Sequence, residues 1–130
     1  VVIAYTKNAS APYLYRAHCR VATVTGGGTN TISFGNATDI NGTNQTHYLD
    51  LAFDSSTNKV IVVYKNLTGS PASTEHQGYV QVGTVNSSNN TISLGSQVSF
   101  HSAEIHELSA TFDSTNNKVV IAFADGSLHG

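Results

Sequence analysis

Seven asparagines in this 130-residue sequence stand in the N-x-Ser/Thr glycosylation pattern: Asn8, Asn36, Asn41, Asn44, Asn66, Asn86 and Asn89. A chain with this much asparagine, serine and threonine gives about three such sites by chance, so the excess points to a glycosylated surface. Most fall in turn-rich stretches or at strand ends, where an attached sugar reaches water. The competing reading is that Asn, Ser and Thr are simply the turn residues of a β protein. Occupied sites would send the chain through a secretory route, so covalent N-glycans and an extracellular or cell-surface location are expected together.

Two histidines repeat. His47 and His106 each lead an alternating segment, on the face expected to carry Leu49 and Leu108. Such a pair either bonds neighbouring backbone or lines a ligand site through neutral imidazole nitrogens. Tyr13 and Tyr15 share one strand face and offer a stacking surface for a sugar, but their counterparts Thr74 and His76 do not repeat it. These four residues are the candidate ligand-binding set. Asp54 and Asp113 recur as well, without the ligand spacing of a calcium loop, and read as turn caps on nearby backbone N–H groups. Cys19 is the only cysteine and reads as a small buried hydrophobe, so no disulfide forms within the sequence. Gly26–Gly28 reads as a hairpin turn, since no helix follows to make a phosphate cradle.

Nothing in this inventory assembles a nucleophile with its base, a carboxylate pair or a metal-binding helix, so no enzyme and no cofactor are expected. Charged residues make up 11% and the net charge is −2, which leaves no basic stripe for nucleic acid. No run approaches the roughly 20 apolar residues that span a bilayer.

The elements that must position these residues follow from a repeat. Val1-Val2-Ile3-Ala4-Tyr5 returns as Val60-Ile61-Val62-Val63-Tyr64 and as Val119-Val120-Ile121-Ala122-Phe123, 59 residues apart each time. Phe53-Asp54-Ser55 and Asn58-Lys59 return as Phe112-Asp113-Ser114 and Asn117-Lys118, and Asn30-Thr31-Ile32-Ser33-Phe34-Gly35 as Asn90-Thr91-Ile92-Ser93-Leu94-Gly95. The division is 1–59, 60–118 and the opening of a third unit at 119–130. Within the second unit, strands are predicted at Val60–Tyr64, Gln77–Val85, Thr91–Phe100 and His106–Phe112, from β-branched runs, period-two alternation and the polar turns between them. Asn66–Pro71 is expected as the first of these turns. Four antiparallel strands in a meander, recurring at a fixed period, predict an all-β fold of β-propeller blades, with a β-sandwich as the alternative.

The two motifs Asp-Ser-x-x-Asn-Lys-Val-Val-Ile-Ala and Gly-Thr-Val followed by Thr-Ile-Ser-x-Gly resemble the tandem repeats of secreted, propeller-like proteins of environmental microbes, over nearly the whole chain. That resemblance implies a surface or extracellular role and brings no catalytic residues with it. The function expected is an N-glycosylated structural or adhesive module, a fibre or coat subunit in which Val1–Tyr5 or Val119–Phe123 completes a sheet begun in another copy or an adjacent repeat. A carbohydrate-binding lectin is the alternative.

Overall fold

The computed structural model describes residues 1–8, 15–28, 30–67 and 76–126. All regular structure in them is strand: β1 (Val2–Asn8), β2 (Tyr15–Thr25), β3 (Thr31–Phe34), β4 (Thr38–Asp39), β5 (Gln45–Asp54), β6 (Lys59–Leu67), β7 (His76–Asn86), β8 (Thr91–Leu94), β9 (Val98–His101), β10 (Ile105–Asp113) and β11 (Lys118–Asp125). Pairing is antiparallel throughout, and the all-β expectation holds.

The strands form three sheets. The middle one runs β5-β6-β7, with β8 and β9 in succession along the far side of β7. The first runs β1-β2, with β3 and β4 along β2, and the third is the hairpin β10-β11. Among the described residues they are antiparallel sheets stacked without closing into a barrel or ring. The strand expected over Thr91–Phe100 is broken into β8 and β9, because Gly95 turns in to donate its N–H to Val82 O at 2.9 Å. Gly35 makes the same bond to Val21 O, also at 2.9 Å, between β3 and β4. A side chain at Gly35 would run into the backbone of Asn90 in the middle sheet, so only glycine fits that approach.

The sheets are offset from the sequence units by one strand. The turns after Asp54 and Asp113, which the sequence reading placed at unit ends, are hairpins inside sheets, joining β5 to β6 and β10 to β11. Each is tied by its aspartate. Asp54 Oδ1 accepts from the N–H groups of Ser56 (2.9 Å) and Thr57 (3.2 Å), and Asp113 Oδ1 from those of Thr115 (2.9 Å) and Asn116 (3.2 Å). Asn58 and Asn117 close the turns in the left-handed region, at φ 54° and 53°, which asparagine tolerates better than most residues. The chain changes sheet instead at 40–44 and 102–104, between β4 and β5 and between β9 and β10.

Alternation places the core. On β6, Val60, Val62 and Tyr64 face the first sheet, where they meet Ala17, Cys19 and Val21 of β2 with Val2 and Ala4 of β1 beside them. Ile61 and Val63 face the third sheet, against Leu108 and Ala110 of β10 and Val119 and Ile121 of β11. A strand buried on both faces reads as a continuous apolar run, which is why Val60–Tyr64 shows no polar alternation. Apolar burial on both sides is the main force joining the layers.

Candidate functional site

The side chains capable of chemistry gather where β2, β5, β7 and β10 begin and β6 ends. Glu104, just before β10, is the centre: its Oε1 lies 3.2 Å from Lys65 Nζ, 2.5 Å from His76 Nδ1 and 3.5 Å from His106 Nε2. Lys65 is nearly fully buried, and its ammonium also sits 5.5 Å from the centroid of the Tyr48 ring, within cation–π range. Hydrogen bonds from His76 and then Lys65 hold the Glu104 carboxyl down at about 2. A carboxylate so heavily stabilised is an anchor rather than a proton-transfer group at neutral pH. It ties β6 and β7 of the middle sheet to the start of the third.

His47 and Tyr15 do come together: their rings meet edge-on with centroids 5.2 Å apart. Burial, with the charges of Lys65 and His76 adding to it, holds the His47 imidazole below its ordinary 6.5, so it is neutral at pH 7. Tyr13 lies outside the described residues, as does the rest of the turn expected from Asn66 to Pro71 beyond Leu67. The expectation that His47 shares the face of Leu49, and His106 that of Leu108, is corrected by a bulge in each strand. Tyr48 and Glu107 both take φ 44°, and His47 pairs with Lys65 while Leu49 pairs with Tyr64. The extra residue resets the alternation, so sequence parity no longer carries across it. Among the described residues no group of three or more His, Cys, Asp or Glu side chains is placed to hold a metal ion.

The glycosylation candidates divide by burial. Asn8, Asn36, Asn86 and Asn89 are exposed and Asn44 is half-buried. Asn41 and Asn66 are buried and bonded to each other, with Asn41 Nδ2 donating to Asn66 Oδ1 at 2.6 Å, to Gln45 O at 3.1 Å and to Thr46 Oγ1 at 3.2 Å. The glycan-accepting nitrogen of Asn41 is thus spent inside the fold, which removes both residues from the set that the folded chain presents. Asn8 and Asn66, each near the end of the first strand of its repeat, are not equivalent positions either. Register places Lys7 opposite Arg16 and Asn66 opposite Gln77, while Asn8 pairs with Tyr15 and Leu67 with His76. Asn8 therefore matches Leu67, one residue on, and a one-residue step moves a side chain to the other face of a strand.

Sequence reasoning missed Lys65, His76, Glu104 and Asp50. Asp50 carried a signal: its Oδ2 accepts from Ser109 Oγ at 2.8 Å and from Ala110 N–H at 2.9 Å, and Ser109 stands one period of 59 residues after it. Equivalent positions of neighbouring sheets touch, so a polar residue at one and a hydroxyl at the other are candidate partners.

Two strand edges complete the inventory. β1 is bonded to β2 on one side and β11 to β10 on one side, and neither has a second neighbour among the described residues. Beside the β1 edge lies a groove of about 670 Å³ walled by Val1, Val2, Leu51, Phe53, Val60 and Val85. Comparison of the chain with protein-family models, curated proteins and solved structures finds no match.

Proposed function

We propose that the chain is a non-catalytic, N-glycosylated, extracellular structural or adhesive module whose sheets are propeller-like blades of a tandem repeat, and that it assembles with copies of itself through strands β1 and β11. The observation that carries this reading is a contrast between matching positions. Val60 and Val62 of the middle sheet are 5% and 0% exposed, whereas Val1 and Ile3, at the same places in the first sheet, are 73% and 37% exposed. On the opposite face Ile61 is 7% exposed and its match Val120 in the third sheet is 50% exposed. The outer layers thus repeat the apolar surface that the middle layer buries, and apolar surface of that kind gains by being covered.

The strand order supports the same partner. β10 and β11 match β5 and β6, and β2 with β3 and β4 matches β7 with β8 and β9. The β10-β11 hairpin of one copy, joined to the β2 side of the next, would rebuild the complete middle sheet, with β1 and β11 exchanging for one place. Backbone pairing along an edge gives affinity, and the groove of Val1, Val2 and Leu51 takes the side chains of the added strand. Weak contacts of this kind multiply along an array through effective concentration.

Sedimentation of the unglycosylated 130-residue chain tests this. Association across the micromolar range is expected, with Ile3→Lys and Val120→Lys each shifting it to monomer while circular dichroism stays unchanged. A monomer at every concentration refutes the assembly. Glycopeptide mapping after secretory expression is expected to find glycan at Asn8, Asn36, Asn44, Asn86 and Asn89 and none at Asn41 or Asn66. A mass unchanged by deglycosylation refutes the glycoprotein.

A further inference from the structure

Two strands fit one place beside β2, and we propose that charge decides between them: β11 of one copy displaces β1 of the next, held in register by Asp125 opposite Arg16. This rests on the assembly proposed above and names its occupant, register and direction. Val1-Val2-Ile3-Ala4 and Val119-Val120-Ile121-Ala122 are identical. With Val119 at the place of Val1, Val120 falls opposite Val21 and Ala122 opposite Cys19, as Val2 and Ala4 lie now. Either strand therefore offers the same apolar side chains to the middle sheet, and burial does not choose between them.

The residues beyond the shared stretch do choose. Lys7 is paired with Arg16, two cations directly opposite on one face of the sheet, an arrangement that weakens a strand pair. The middle sheet has the neutral pair Asn66 and Gln77 at that place. Asp125 stands where Lys7 does, so β11 turns the repulsion into an attraction. Arg16 Nη2 holds Gly42 O at 2.9 Å, a contact that does not involve β1. Its ion pair with Asp39, at 3.3 Å, and that of Asp125 with His101 Nε2, at 3.7 Å, are long and partly exposed, so neither binds its charge tightly. At the other end of the strand Lys118 falls opposite Thr23, as Lys59 lies opposite Thr84 and bonds its hydroxyl at 2.9 Å.

The incoming strand comes from another copy. β1-β2 and β10-β11 pack on opposite faces of the middle sheet, so a chain does not lay its own β11 on its own β2. The two ends of this stack are also oppositely charged. The first sheet carries Lys7, Arg16 and Arg20 against Asp39, and the third, taken from Glu104, carries Glu104, Glu107, Asp113 and Asp125 against Lys118. Such a molecule joins head to tail and disfavours the meeting of like ends. The hairpin meets the outer edge of β1 first, which has no second neighbour among the described residues. The charge at Arg16 then decides which strand keeps the place.

The test mixes two variants of the unglycosylated 130-residue chain, Thr23→Cys and Lys118→Cys, under mild oxidation. Both positions are exposed, and in the exchanged sheet they form a non-hydrogen-bonded pair, because Val1 and Ala22 next to it exchange both their backbone bonds. Cα atoms in such a pair are about 4.5 Å apart, within disulfide reach. A disulfide heterodimer is expected as the main product, ahead of either homodimer. In sedimentation, Asp125→Lys should weaken association about tenfold and Asp125→Glu should leave it within about twofold, each variant being folded by circular dichroism. Lys7→Glu should also weaken it about tenfold, because it strengthens the hold of the strand that must leave. Absence of the heterodimer, or association unmoved by Asp125→Lys or by Lys7→Glu, overturns the displacement while the assembly itself stands. A chain that stays monomeric and uncross-linked overturns both.

Discussion

Removing one carboxylate should loosen the third sheet from the second. Asp50 sits in β5 and reaches across to β10, where its Oδ2 takes the Ser109 hydroxyl at 2.8 Å and the Ala110 N–H at 2.9 Å, while Oδ1 takes the N–H of Leu51 at 2.8 Å. Hydrogen bonds to a charged group contribute about 1.5–3 kcal/mol when buried, but Asp50 is partly exposed and three bonds to one carboxylate do not add. About 2 kcal/mol is the expected loss in Asp50→Ala, a large part of the net stability of a domain this size. Asp50→Asn keeps one acceptor oxygen and should lose about half as much. Urea unfolding gives the stability, and amide exchange at Ala110 reports the local loosening, which should exceed that at Val62 in the middle sheet. A pH series supplies a second check. Burial works to raise the Asp50 carboxyl, but the bonds from Ala110, Ser109 and Leu51 outweigh it and hold it below its ordinary 3.8. The unfolded chain titrates near that ordinary value, so the stabilisation is complete above it and fades as pH falls through the lower folded value. Wild type and Asp50→Ala should therefore converge in stability toward the acid end. Equal midpoints at pH 7, with Ala110 exchanging as before, would refute the bridging role.

Glu104→Gln should lower the thermal midpoint and speed exchange at residues 104–107, since it leaves the buried Lys65 ammonium without its anion; an unchanged midpoint would show that the cluster holds nothing together. The Cys19 thiol is fully buried, and burial pushes its pKa up to about 11, so a thiol reagent at pH 8 should label it only after denaturation. Rapid labelling of the native chain would place Cys19 at the surface instead of under β6.

Much of the architecture was legible because the repeat and the alternation act locally. Val60–Tyr64 announced a strand by β-branching, and the Asp-Ser-x-x-Asn-Lys turns announced themselves by a capping carboxylate two residues before the N–H it bonds. What escaped is what needs a third dimension. The bulges at Tyr48 and Glu107 use residues with no helical or turn signature, and the left-handed φ there is imposed by pairing. Sheet membership was misassigned by one strand for a related reason: a polar turn looks the same whether it closes a hairpin or leaves a sheet. The Glu104 cluster draws on β6, β7 and the segment before β10, and no spacing in the sequence foretells that meeting.

The one-residue offset between Asn8 and Asn66 bears on how the proposed assembly and the proposed glycosylation would coexist. Had the two been equivalent, a strand laid beside β1 would have given Asn8 the setting of Asn66, buried against an amide partner, and a glycan there would have blocked the pairing. Because Lys7 is the true match of Asn66, Asn8 falls at the position of Leu67, the last residue of β6 and only partly buried even in the complete middle sheet. A glycan on Asn8 would therefore lie at the end of the edge. Val1–Tyr5, the stretch that repeats the buried core of β6, is left clear for a partner strand.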